Sequence, residues 1–101
     1  MNKKIEISQS EISEFCRRNQ IRRLALFGSV LRDDFGPESD IDVLVEFLPH
    51  ARVGLFELHD LELELSRILS GRKVDINTPN SLSKYFRDEV IAEAETQFVQ
   101  T

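Results

Sequence analysis

Apolar residues return along this chain at two different periods, and each change of period marks an element. Ile12, Phe15 and Cys16 recur at helical spacing just after Ser8-Gln9-Ser10-Glu11, which has the form of a capping box, so a first helix is predicted over residues 9–19. Residues 21–27, Ile-Arg-Arg-Leu-Ala-Leu-Phe, have the content of a strand that stops at Gly28-Ser29, where Gly permits a tight corner and Ser can open a helix. One or two helical turns are predicted over residues 29–34, stopped by Gly36-Pro37 in a turn.

Residues 40–47 alternate strictly. Ile41, Val43, Val45 and Phe47 take one face of a second strand, and Asp40, Asp42, Leu44 and Glu46 take the other. Helical spacing resumes over residues 55–69, with Leu58, Leu61, Leu65 and Ile68 in a stripe and Glu57, Glu62, Glu64 and Arg67 facing water; Gly71 sits where a C-cap glycine belongs. Residues 72–77 alternate again as a third strand, with Val74 and Ile76 on one face and Asp75 on the other. Pro79 and Asn80 break the chain before a last helix predicted over residues 82–94, striped by Phe86, Val90 and Ala94. The order implies an α+β or α/β fold, a small sheet of three or more strands packed against helices, in a single domain over residues 1–101.

Composition narrows this picture. With 101 residues and 41% hydrophobic content, the chain supplies one core and no second lobe. A net charge of -5 argues against a broad grip on nucleic acid, and the pairs Arg17-Arg18, Arg22-Arg23 and Arg72-Lys73 read as solvated element ends. The one cysteine, Cys16, has no intramolecular partner and reads as a small core residue. Glu6 and Glu11 stand where a signal peptide needs an apolar run, and no stretch reaches transmembrane length, so no membrane association is expected and the expected location is the cytoplasm.

The chemistry lies in the acidic positions. Asp40 and Asp42 leave the same face of one strand about 7 Å apart along the chain, where two carboxylates repel unless a cation lies between them. If the second and third strands pair, Asp75 joins them. Three carboxylates without a nearby imidazole make an oxygen-only site, suited to Mg²⁺ or Mn²⁺ rather than Zn²⁺. Mg²⁺ commonly completes its shell with substrate phosphates, so a nucleoside triphosphate is the third party, and Asp75 either binds the activating metal or takes the proton. Gly28-Ser29 fits the phosphate end: a glycine corner for close backbone approach, a hydroxyl, and the positive end of a short helix, with Arg32 one turn on. A D-x-D pair or a Gly-Ser pair alone is common on solvated strands and turns, and the conjunction is much more specific. His50 and His59 fit no ligand spacing, and Glu46 reads as solvated or paired with a basic group. Near the last helix, Phe86 as a core residue is as good a reading as contact of Tyr85, Phe86 or Arg87 with a base.

These residues, Gly28, Ser29, Asp40 and Asp42 in the pattern G-S-x10-D-x-D, resemble the polymerase-β-like nucleotidyltransferase superfamily and, within it, the minimal nucleotidyltransferase (MNT) proteins. "GRKVDINTP" with Asp75, the leading helix and "YFRDEVIAEA" extend the resemblance over nearly the whole chain. It implies a polymerase-β-like fold, two Mg²⁺ ions on Asp40, Asp42 and Asp75, nucleotide binding by Gly28, Ser29 and Arg32, and ATP as substrate. It also implies an antitoxin that transfers AMP to a tyrosine of a HEPN-domain toxin. The chain departs from the commonest family form where Asp33-Asp34 follow Arg32 in place of a glycine. Two other readings stay open: a nucleotide-binding antitoxin that neutralises its toxin by contact alone, and an adenylyltransferase of small molecules, which the lack of an acceptor domain disfavours.

Overall fold

The computed structural model describes residues 7–31, 36 and 38–100. The elements follow in the order α1 (Gln9–Arg18), β1 (Ile21–Phe27), a 3-10 turn (Gly28–Leu31), β2 (Ile41–Phe47), α2 (Leu55–Ile68), β3 (Val74–Asn77), a second 3-10 turn (Pro79–Ser81), α3 (Arg87–Glu93) and β4 (Glu95–Val99). The strands form one sheet in the order β3-β2-β1-β4. β1 runs antiparallel to both β2 and β4, whereas β2 and β3 are parallel, and α2 supplies the crossover that parallel neighbours need.

Strand alternation sorts the side chains into two layers. On one face Leu24, Leu26, Val43, Val45 and Phe98 meet Ile12, Phe15 and Cys16 of α1 and Leu61 and Leu65 of α2 in the main core. On the other, Ala25 and Leu44 are buried with Leu82, and Phe27, Val90, Ile91 and Ala94 pack around them. β2 thus does not carry a purely acidic second face: Leu44 is sealed under α3, and the carboxylates of that face lie toward its ends. Helix α1 begins as its sequence predicts, with Ser8 Oγ accepting from the Glu11 N–H at 3.3 Å. No helix of the described residues is long and apolar enough to cross a membrane.

The chain departs most from its periodicity at the C-terminal end. The helix predicted over residues 82–94 is confined to Arg87–Glu93, because Pro79–Ser81 folds as a 3-10 turn capped by Thr78 Oγ1 and a turn closed by Phe86 N–H to Ser83 O follows it. Ala94 then turns extended and opens β4, a strand its sequence did not announce. Tertiary packing decides this: Phe98 pairs with Leu24 in the sheet, is buried in the main core and lies under the Arg17 guanidinium, 5.4 Å from the ring centroid.

A β-bulge explains an otherwise odd arginine pair. Ile21 faces Phe47 and Arg23 faces Glu46, so Arg22 is an extra residue in β1. Both guanidiniums thereby reach Glu46, Arg23 Nη1 at 3.2 Å from Oε2 and Arg22 Nη2 on Oε1.

Two outcomes follow for the core. Leu65, fully buried, should cost about 2–5 kcal/mol when cut to Ala, read as a fall in the urea midpoint at unchanged slope. Burial raises the Cys16 thiol from its ordinary value of 9.0 to about 12, against a lesser opposing pull from Arg17. Folded protein should therefore resist a thiol reagent at pH 8 and react fully in urea. Because the unfolded thiol ionises first, this contribution to stability is whole below pH 9.0 and is lost as pH rises toward about 12.

Candidate active site

Three strands end together at one edge of the face that α3 partly covers. Phe27, the last residue of β1, is opposite Asp42 of β2, and Asp42 is in register with Asp75 of β3. In-register residues of a parallel pair project to the same face, so Asp42 and Asp75 are lateral neighbours, and Asp40 precedes β2 by one residue on the same side. Asp42 is partly buried and Asp75 is exposed. Asp40 has the Lys73 ammonium 3.8 Å from Oδ2, a solvent-exposed contact of small energetic weight.

Gly28 is fixed by two independent constraints. Its φ of +77° lies in the left-handed region, and a Cβ built there would overlap Asp42 Oδ2 and stand 3.3 Å from Asp42 Cγ. The corner and the acidic pair, separate in sequence, are therefore in direct contact. Ser29 follows on the 3-10 turn, partly buried, while Val30 plugs into the main core and holds the turn down. Arg32, and with it Asp33-Asp34, lies outside the described residues.

A cleft of ≈ 290 Å³ opens beside Gly28, lined by Phe27, Phe86, Glu89, Val90 and Glu93. Phe86 is half exposed there, so its side chain is a cleft wall and not a core residue. A second depression of ≈ 320 Å³ lies at the other end of β1, around Arg18, Gln20, Asp60 and Glu64, and holds none of the predicted site residues.

Among the described residues no three Asp, Glu, His or Cys side chains are gathered closely enough to hold a metal ion. The backbone brings Asp42 and Asp75 side by side, but Asp40 sits near Lys73 and Asp75 lies open to solvent. In donor type, though not in the spacing of these side chains, the set suits a hard divalent cation: oxygen-only carboxylates at the ends of adjoining strands, beside a glycine whose missing side chain leaves the space to Asp42.

Arg72 is not the solvated element end that its sequence suggests. Its Nη2 donates to Gly36 O at 2.7 Å and Ser39 O at 2.8 Å, across from its own strand end to the turn before Asp40. Glu62, expected to face water, instead accepts from the Ile76 N–H of β3 through its Oε2 at 2.8 Å. Nothing in local spacing marks either residue, because each partner is 14 or more positions away.

The chain is similar in sequence and fold to known proteins. A family model described as nucleotidyltransferase domain matches residues 10–99. Two relatives from Methanocaldococcus jannaschii, each named as a candidate protein adenylyltransferase, are 36% identical over 77 residues (76% of this chain, 80% of the relative) and 34% identical over 92 residues (83% and 91%). A solved structure of a candidate minimal nucleotidyltransferase superposes with a TM-score of 0.69 at 32% identity, covering 85% of each chain. A toxin–antitoxin structure with AMP-PNP shares the fold with a TM-score of 0.73 at 20% identity, over 94% of this chain and 76% of that one. A further match in fold is a tri-AMPylated Shewanella oneidensis HEPN toxin in complex with an MNT antitoxin, with a TM-score of 0.64 at 20% identity over 91% of this chain and 70% of that one.

Gly28→Ala should destabilise the fold by about 1–2 kcal/mol from the backbone alone and more through displacement of Asp42. Gly36→Ala, where an added Cβ meets nothing within 4 Å, is the control and should shift the urea midpoint little.

Proposed function

The chain belongs to the nucleotidyltransferase-domain family, and from that premise we propose that it transfers AMP from ATP to a protein hydroxyl, a tyrosine of a cognate HEPN-type toxin, and acts as the antitoxin of that pair. The observation that carries the reading is the contact of Gly28 with Asp42, itself in register with Asp75. A phosphate-binding corner and an acidic strand are of use to each other only if one ligand spans both. Support for a protein acceptor comes from the names of the M. jannaschii relatives. Support for a HEPN partner comes from the toxin–antitoxin structures that share the fold.

In this reading Asp40, Asp42 and Asp75 hold Mg²⁺, with Mn²⁺ as a substitute. The ion, when bound, neutralises triphosphate charge and acidifies the attacking hydroxyl. Gly28 lets the main chain approach the phosphates, the Ser29 hydroxyl donates to one of their oxygens, and Arg32 is assigned to the same anion. Transfer forms a bond from the acceptor oxygen to the α-phosphorus and breaks the bond to the β-phosphate bridge, with pyrophosphate leaving. Asp75, exposed on the outermost strand, is on the side open to a protein acceptor, where it binds the activating ion or takes the hydroxyl proton.

One observation favours a second reading, an antitoxin that binds nucleotide and neutralises by contact: the carboxylates are not gathered around a common point. Co-expression with the neighbouring gene's product separates the two. Intact mass of that product should rise by AMP units with the unaltered chain and stay constant with Asp40→Ala/Asp42→Ala. A toxin held inactive by both forms without added mass would establish the contact reading instead.

A further inference from the structure

We propose that Arg72 is a positioning residue of the acidic site, a clamp that fixes where Asp40 stands relative to Asp75. The inference rests on the reading that these carboxylates hold a divalent cation.

The backbone of Arg72 is itself anchored. Its N–H donates to Leu69 O at 3.3 Å and its carbonyl accepts from Ser66 Oγ at 2.6 Å, both at the end of α2. From this base the guanidinium spans the edge of the sheet and collects two carbonyls, Gly36 O and Ser39 O. The turn it grips is closed from within, by Ser39 N–H to Gly36 O at 3.1 Å and Gly36 N–H to Ser39 Oγ at 3.1 Å. Asp40 is the next residue. One position further, Ile41 N–H donates to Lys73 O at 2.8 Å and begins the parallel pairing of β2 with β3.

Among the described residues, the two bonds within the turn join Gly36 to Ser39 and do not reach β3. One permanently charged, planar side chain ties both ends of the turn to the β3 side by charge-assisted bonds, ahead of the Ile41 N–H to Lys73 O bond that starts the strand pairing. β3 is a four-residue edge strand whose pairing with β2 begins at Ile41, one residue past Asp40, so the segment that carries Asp40 lies just outside the ladder. Without the clamp, the segment ahead of β2 can shift while Asp42, held between β1 and β3, stays in place. Arg72 reaches the cation only through the main chain that carries Asp40, in the manner of an outer-shell partner.

The test is Mn²⁺ binding to the whole chain, followed by electron paramagnetic resonance at a temperature where every form is folded by circular dichroism. Arg72→Met should weaken Mn²⁺ by about 10–100-fold, and Arg72→Lys, which restores donors without the planar fork, should recover part of the loss. Ser39→Ala, which removes the turn's hydroxyl bond, should weaken binding in the same direction, and its effect should be less than additive with that of Arg72→Met. Unchanged affinity in folded Arg72→Met, whatever its melting temperature, overturns the inference. If that variant does not fold, Arg72→Lys and Ser39→Ala carry the decision, and wild-type affinity in both overturns it. An unaltered chain that binds no Mn²⁺ sinks the metal reading itself, and is recognised before any variant is compared.

Discussion

The acidic end of this molecule depends on how closely the main chain at Gly28 approaches the side chain of Asp42. A side chain at this position is disfavoured by backbone conformation and by the space that Asp42 occupies. The approach is possible because β1 and β2 keep one uniform register from Leu24 to Phe27, so the corner leaves the sheet level with the second aspartate. The irregularity in that pairing, the bulge at Arg22, is confined to the far end, where it serves an ion cluster with Glu46.

The two faces of the sheet divide the work. Helices α1 and α2 cover one face, and that layer carries most of the apolar burial on which stability rests. The short α3 covers only the middle of the other face, through Ala25, Leu44 and Leu82, and leaves the strand ends uncovered. A cleft beside Gly28 and a row of carboxylates therefore coexist with a closed core, because incomplete cover on the second face exposes the ends without opening the first.

Much of this could be read in advance. The alternation of residues 40–47 and the helical stripes at Ile12-Phe15-Cys16 and Leu58-Leu61-Leu65 are strong local signals, and each element formed within a residue or two of its pattern. The convergence of the Gly-Ser corner on Asp42 was legible only through the spacing of the pair. β4 was not legible, since residues 95–99 are short, largely polar and become a strand through pairing with β1 and the burial of Phe98. Arg72 and Glu62 escaped for a related reason: each is a charged residue in an unremarkable local pattern whose partner is a main-chain group distant in sequence.

The carboxylate of Glu62 on the Ile76 N–H has a meaning beyond tidy hydrogen bonding. β3 is an outermost strand, and an outermost strand ordinarily offers its main chain as a template on which a foreign strand can grow. Helix α2 insulates it by occupying the donor at Ile76. A foreign strand approaching β3 finds the donor at Ile76 already taken, so one rung of the ladder on which a fifth strand would pair is denied to it.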